Sequence, residues 1–166
     1  MTDTTSQTNL DIYGSSDFTW DVVRDLLRGD RRFDHFWLAT TSPDGSPHLT
    51  GIGARWFEDQ LWFVSGAETQ KSRNLEERQD CAIAAELPDL DVTFRGGARR
   101  VTDQPTVERL AAQWASTGWP ARPGRGAIEA DYSAPSAGPP PWDLWLLEAR
   151  SAVAVGARGA MRWRFA

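Results

Sequence analysis

The sequence predicts a mainly β (α+β) domain, in which about six antiparallel strands form a barrel with two to three helices at its periphery. Short runs rich in aromatic and β-branched residues, separated by tight turns, succeed one another between residues 36 and 102 and again after residue 141. Only two segments have a clear helical period, and no segment repeats along the chain. With 166 residues, the chain is long enough for one domain with a real core, which we expect over residues 17–166.

Composition and charge exclude several classes of function. The formal net charge of −5 argues against nucleic acid and membrane surfaces as partners, because both attract a basic protein surface. No apolar run approaches the roughly 20 residues that cross a bilayer, and the polar N-terminal segment does not resemble a signal peptide, so we expect a cytoplasmic protein. The single cysteine, Cys81, excludes an internal disulfide and lies in an apolar run, where we expect it to act as a small buried hydrophobic residue.

The first predicted helix follows a polar arm. Residues 1–16 contain few apolar residues and no periodicity, which predicts a flexible arm. Apolar residues then recur at helical spacing from Trp20 to Leu27, and Gly29 follows at a position typical of a helix end. We therefore expect a short amphipathic helix that begins near Thr19.

A β-hairpin is predicted next. Residues 36–42 are rich in aromatic and β-branched residues, and the turn that follows has Pro43 at its second position. The return strand, residues 47–57, contains Gly51 and Gly53, which leave one face of the strand without side chains. Two glycines at this spacing indicate either a bend in the strand or a place where a flat ligand approaches the backbone. Taken alone, the pair favours the bend.

Three more strands and a short helix are predicted before residue 103. A second hairpin brings in the strand 61–65, after which the polar segment 71–78 is compatible with a helix capped by Thr69. The runs 81–87 and 90–102 predict two further strands on either side of a Pro-Asp turn. Strands joined by such tight turns favour an antiparallel sheet over a parallel α/β sheet.

The second clear helix and a long linker come next. Asp103 and Pro105 are typical of a helix start, and the apolar residues that follow lie on one face up to residue 117. The linker 118–141 holds six of the ten prolines, and linkers of this length usually carry function or lie against a partner. Three short β-like runs end the chain.

The inventory of reactive side chains favours a borrowed cofactor. The two histidines, His35 and His48, have no further ligand at zinc spacing, so we expect no metal site. The chain has no nucleophile-elbow motif and no glycine-rich dinucleotide or Walker motif. Simple side-chain catalysis is therefore poorly represented, which leaves either cofactor chemistry or no catalysis.

One polar segment, residues 65–75, has the composition of an anion site. Ser65 and Thr69 supply hydroxyl groups, Lys71 and Arg73 supply cations, and the start of a helix adds free N–H groups. Lys71 is the one lysine among the 18 cationic residues of the chain, and all the others are arginines. The alternative is a solvated helix face, which composition alone favours.

The order of motifs between Phe36 and Asp103 resembles the pyridoxamine 5′-phosphate oxidase-like split-barrel superfamily, which binds flavin or deazaflavin. The family pattern has a tight hairpin, a cofactor strand, a strand end of the F-x-S type, a phosphate loop and a D-V-x-V-x-G strand. The segments that match this pattern are Asp44–Pro47, Thr50–Arg55, Phe63–Ser65, Gln70–Leu75 and Asp91–Gly96.

The resemblance implies a split barrel that binds FMN or coenzyme F420. Under it, the cofactor phosphate would be held by Ser65, Thr69, Gln70, Lys71 and Arg73. The cofactor ring would lie against the backbone of Thr50, Gly51 and Ile52. Members of the superfamily are generally homodimers with cofactor sites at the interface, so we expect a homodimer that also binds a small-molecule substrate.

Several departures separate the chain from the enzyme that names the superfamily. That enzyme uses an Arg-x-His pair near its C-terminus for the substrate phosphate, whereas this chain has no histidine after His48. Gln70 and Asp91 stand where an arginine and a glutamine are usual. These departures argue against oxidation of pyridoxamine 5′-phosphate.

The resemblance therefore implies an oxidoreductase that binds FMN or F420 at a dimer interface and transfers hydride to a small conjugated substrate. No catalytic side chain is assigned, and His48 and Tyr132 are the candidates for a proton donor. The alternative is a protein that binds or carries a flavin, a deazaflavin or haem without turnover. A third interpretation is an interaction module in which the dimer alone matters.

Overall fold

The computed structural model describes residues 4–29 and 35–166 of the chain. The strands in these ranges are β1 Thr4–Asn9, β2 Phe36–Thr41, β3 Pro47–Ile52, β4 Ala54–Phe57, β5 Gln60–Gly66, β6 Asp80–Leu87, β7 Leu90–Val101, β8 Arg122–Pro123, β9 Ile128–Glu129, β10 Trp142–Gly156 and β11 Gly159–Phe165. The helices are α1 Trp20–Arg28, α2 Gln70–Glu77 and α3 Gln104–Ser116. None of the helices in these ranges is long and apolar enough to span a membrane.

Six strand positions close into a barrel. β2 pairs with β3, and β3 continues through Gly53 into β4, which pairs with β5. β5 pairs with the first half of β10, and β10, β7, β6 and β2 follow as antiparallel neighbours. β3 and β4 are two parts of one bent strand, so the ring has six positions, but the whole sheet of the described residues has 11 strands, more than the sequence predicts. The mainly β fold class is confirmed, and β1, β8, β9 and β11 are additions outside the ring.

The length of β10 allows the ring to close. Its segment Leu144–Leu147 pairs with β5 on one side and with β7 on the other. Past a bulge between Ala149 and Ser151, the second half of β10 pairs with β11. Gly96 of β7 lies at this bulge, where a Cβ would come 2.1 Å from the Glu148 carbonyl oxygen. Glycine therefore permits the two strands to approach at the bend.

An aromatic core fills the barrel. Its centre is Trp20, on the buried face of α1. The ring centroids that lie 4.9–6.2 Å from this indole belong to Trp56, Phe94, Trp163 and Phe165. Each large side chain buried here contributes roughly 1.5–3 kcal/mol to folding. The apolar stripe predicted from helical spacing therefore attaches α1 to the barrel core.

A second apolar cluster holds α3 against the other face of β5. The buried side of α3 includes Trp114, which belongs to a cluster with Trp62 of β5 and Leu144 of β10. Asp103 caps the helix, since its carboxylate accepts a hydrogen bond from the Thr106 backbone N–H at 3.0 Å. This packing brings the C-terminal end of α3, and the linker that follows, beside β4 and β5.

The N-terminal arm 1–16 differs from the irregular segment that the sequence predicts. β1 pairs with β11 as an edge strand, although every side chain of β1 is exposed. The pairing depends on the free backbone edge of β11. The polar side chains of β1 give no sequence pattern that would predict this pairing. Residues 1–3 of the predicted arm lie outside the described residues.

Candidate ligand-binding site

A cavity of about 690 Å³ lies against the bend between β3 and β4. Its walls are residues 51–55, Val64 of β5, Lys71 of α2, the end of α3 and part of the segment 132–137. Volumes of this size accommodate a small organic ligand or cofactor. The cavity therefore brings together the predicted cofactor strand, the predicted anion helix and the proline-rich linker.

The glycine pair opens one wall of this cavity. No atom lies within 4 Å of the position that a Cβ would take at Gly51 or at Gly53. The side chains of Ile52 and Ala54 pack against the barrel core on the opposite face of the strand. Both interpretations of the glycine pair therefore apply: the strand breaks at Gly53, and one of its faces is bare backbone.

A cluster of hydroxyl groups holds the start of α2 beside the cavity. Thr69 caps the helix by accepting a hydrogen bond from the Ser72 backbone N–H at 3.4 Å, and its hydroxyl donates to the Gly66 carbonyl at 2.8 Å. The Ser72 hydroxyl donates to the Ser65 hydroxyl at 2.7 Å. Ser65 is fully buried within this cluster. These hydroxyls fix the helix start, and their hydrogen bonds stay within the protein.

Lys71 is the exception in this segment, because it is buried without a partner. Its side chain is 6% exposed and lines the cavity. Within residues 4–29 and 35–166, it makes no hydrogen bond and no ion pair. Burial lowers the pKa of its ammonium group, since water is lost and no carboxylate replaces it. An isolated buried cation is costly, so the cavity is electrostatically suited to an anion.

Gln70 and Arg73 are engaged in a hydrogen-bond network whose members do not line the cavity. The Arg73 guanidinium donates to the Glu68 carbonyl at 2.6 Å and to Gln70 Oε1 at 3.1 Å. Gln70 Nε2 donates to Asn74 Oδ1 at 2.7 Å, and Asn74 Nδ2 donates to Thr40 Oγ1 at 2.9 Å. This network ties α2 to β2.

The structure brings part of the predicted site into the cavity wall. Of the eight residues predicted to bind the cofactor, those that line the cavity are Gly51, Ile52 and Lys71. Those that are absent from the cavity wall are Thr50, Ser65, Thr69, Gln70 and Arg73. Of the two proton-donor candidates, Tyr132 lines the cavity, whereas His48 lies near Thr40, with a distance of 3.4 Å from Nδ1 to Oγ1.

Arg55 is a second cation at the cavity that sequence reasoning missed. Its Nη2 donates to the Thr117 hydroxyl at 2.7 Å, and that hydroxyl donates in turn to the Trp114 carbonyl at 3.0 Å. The buried Nε of Arg55 has no partner among the described residues. Among these residues, no carboxylate lines the cavity. Arg55 and Thr117 are 62 residues apart in the sequence, so no local sequence pattern predicts their contact.

An antiparallel barrel with bare backbone beside two cations has the form of a site for a flat ligand with an anionic group. The chain belongs to the pyridoxamine 5′-phosphate oxidase family, since residues 20–134, more than half of the chain, match that family. The resemblance found in the motifs is thereby confirmed. No curated protein matches the chain significantly.

Solved structures share the fold. A pyridoxamine 5′-phosphate oxidase-related, FMN binding protein from Nostoc punctiforme is 21% identical with a TM-score of 0.60, over 90% of this chain and 91% of that one. A protein described as an F420 reductase is 19% identical with a TM-score of 0.54, over 78% and 94% of the chains. A heme binding protein from Mycobacterium smegmatis is 20% identical with a TM-score of 0.56, over 80% and 52%.

The substitution Lys71→Met tests the unpaired charge in the absence of any ligand. Methionine keeps most of the aliphatic stem and removes the charge, so the free energy of unfolding near pH 7 should rise by about 1 kcal/mol or more. The lowered pKa means that the destabilisation is present below that pKa and fades as pH rises toward 10.5. Urea unfolding of both proteins across this range measures the difference. A wild-type protein more stable than the variant near pH 7 contradicts the interpretation.

Proposed function

We propose that the chain is an oxidoreductase that binds FMN or the deazaflavin coenzyme F420 in this cavity and transfers hydride to a small conjugated substrate. The observation that carries the proposal is the buried, unpartnered Lys71 beside a strand face without side chains. Family membership supports it, and so do neighbours described as FMN binding and as an F420 reductase.

The residues of the cavity fit such a cofactor. Lys71 and the N-terminal end of α2 would hold the anionic phosphate, because both present positive charge. The backbone at Gly51 and Gly53 would lie against the flat ring. Arg55 pairs with Trp62 in the β4–β5 ladder, and Trp62 precedes Gly66 by four residues, or about 13 Å of strand. The cavity therefore offers two cations to an anionic ligand, Arg55 and Lys71.

The chain's own residues would orient the ligand and exclude water. A bound flavin or deazaflavin supplies the hydride-transfer chemistry. Arg55, held by Thr117, would attract an anionic or electron-rich group of the ligand. The Tyr132 phenol, which is the proton-donor candidate at the cavity wall, donates to the Gly118 carbonyl at 3.4 Å. We therefore prefer Tyr132 to His48 as the proton donor, because only Tyr132 of the two lines the cavity.

A fluorescence titration of the cofactor-free protein with FMN and with F420 tests the proposal. Lys71→Met should weaken binding of the preferred cofactor by about tenfold or more, because one charge-assisted hydrogen bond is lost. The matched control is Arg78→Met, which removes a cation at the end of the same helix, outside the cavity wall. Binding of neither cofactor, or equal affinities for the wild type and Lys71→Met, contradicts the proposal.

Gly53→Val tests the approach of the ring to the backbone. The protein should fold, since the added Cβ meets no atom within 4 Å, but cofactor affinity should fall by about tenfold or more as the side chain fills the open face. Gly97→Val on β7 serves as the control, because its nearest atoms lie 3.9 Å from the added Cβ and it is absent from the cavity wall. Normal affinity in a folded Gly53→Val protein would count against the close approach.

A carrier without turnover is the second candidate. It is favoured by the neighbour described as a heme binding protein. Among the described residues, no histidine lines the cavity, so haem would lack the commonest axial ligand there. Turnover of the reduced cofactor against a panel of quinones, tetrapyrroles and enones separates the enzyme from the carrier.

We also propose that the protein is a homodimer that uses the outer face of β2 and β3. Trp37 is 49% exposed and Leu49 is 65% exposed on this face. The β2–β6 register sets Ala84 beside Trp37 and Ala82 beside Ala39, which extends a surface of small side chains. Trp37 also pairs with Gly51, so a second copy on this face would border the cavity.

Trp37→Asp tests the dimer. A charge at the centre of an apolar interface should dissociate the wild-type dimer into monomers at micromolar concentration, which sedimentation velocity measures. Ile12→Asp is the control, because Ile12 is 87% exposed in the loop after β1. A monomeric wild-type protein, or a Trp37→Asp protein that remains dimeric, speaks against this interface.

A further inference from the structure

Part of the proline-rich linker forms a strap over the cavity. We use this name for residues 132–138, which cross from the region after α3 to the residues before β10. Tyr132, Ser133, Ala134, Ser136 and Ala137 line the cavity. Between its ends the strap has one backbone turn, in which the Ala137 N–H donates to the Ala134 carbonyl at 2.8 Å. The strap is thus a wall of the ligand site without pairing in a sheet or helix.

Two tryptophans hold the ends of the strap. The Trp119 indole N–H donates to the Tyr132 carbonyl at 2.7 Å. The Trp142 indole N–H donates to the Gly138 carbonyl at 3.1 Å. The two indole rings contact each other, with centroids 5.7 Å apart. One aromatic pair therefore fixes both ends.

The backbone of the strap also packs directly against Gly66 at the end of β5. A Cβ at Gly66 would lie 2.3 Å from the Ala137 carbonyl oxygen, so a side chain there would displace the backbone of the strap. Gly66 pairs with Trp142, and the Thr69 methyl group lies 3.6 Å from the same Cβ position. The strap therefore rests against the residues that start α2, next to Lys71.

The attachment of the strap is weak compared with the barrel. Tyr132, Ala134 and Ser136 are exposed, so water can solvate the strap when it detaches. The two indole hydrogen bonds and the bond from the Tyr132 hydroxyl to the Gly118 carbonyl are neutral, and such bonds contribute little net free energy once water replaces them. Segments with few buried contacts open locally without global unfolding.

We infer that the indole N–H groups of Trp119, which also lines the cavity, and of Trp142 hold the strap as the closing wall of the ligand site, and that the ligand leaves when the strap detaches. This inference rests on the proposed function for the identity of the ligand. The position of the strap rests on the indole hydrogen bonds and on Gly66, independently of any ligand.

Hydrogen exchange of the ligand-free protein is the first test. Trp119→Phe and Trp142→Phe keep an aromatic ring and remove the N–H donor, so the Ala137 amide should exchange about threefold to tenfold faster. The matched control is Trp145→Phe, since the buried indole N–H of Trp145 has no partner among the described residues. This control lowers core packing without releasing the strap. Unchanged exchange at Ala137 in both strap variants overturns the inference.

Release of FMN, or of F420 where that cofactor binds, is the second test. Stopped-flow dissociation should be about threefold to tenfold faster in Trp119→Phe and Trp142→Phe and unchanged in Trp145→Phe. Gly66→Ala should have the same effect without altering a tryptophan, while Gly97→Ala should not. Faster exchange with unchanged release would show that the strap does not control the ligand and would overturn the inference. If neither cofactor binds, the proposed function fails, and the exchange result alone decides on the strap.

Discussion

The double pairing of β10 is the constraint on which the rest of the molecule depends. Residues 144–147 form backbone hydrogen-bonded ladders with β5 and β7 at once, and this closes the ring. The same strand begins at Trp142, opposite Gly66, where β5 ends and the approach to α2 starts. The start of α2, the bent strand β3–β4 and the strap are therefore all positioned relative to one end of β10. Because these segments are distant in sequence, their common attachment to β10 fixes their positions relative to one another.

The site carries an electrostatic cost that the fold tolerates. Lys71 and Arg55 both face a cavity without a carboxylate in its described wall, in a chain whose formal net charge is −5. A structure selected for stability alone would pair such groups or replace them. Unpaired cations at a cavity are typical of a site that completes its charge balance by binding, and stability is then linked to occupancy.

Much of the fold could be predicted because its signals are local. The apolar spacing of α1 and α3, the turns and the β-rich runs each lie within about ten residues. The edge strand β1 could not be predicted, because it depends on a free backbone edge far away in sequence. The contact between Arg55 and Thr117 could not be predicted either. The single lysine was found from composition and motif order, but its lack of a partner, and the engagement of Gln70 and Arg73 elsewhere, are properties of side-chain packing.

The distribution of tryptophan has an optical consequence. Trp114 and Trp119 line the cavity, whereas Trp20, Trp56 and Trp163 lie in the barrel core. The nine tryptophans of the chain therefore include a group at the cavity, a group in the barrel core and Trp37, which is 49% exposed on the outer face of β2. A ligand that absorbs near-ultraviolet light would quench the cavity group most strongly, because energy transfer falls steeply with distance. Loss of the fold would shift the emission of the buried groups toward the red. Tryptophan emission thus reports both ligand binding, as quenching, and loss of the fold, as a red shift, without an added label.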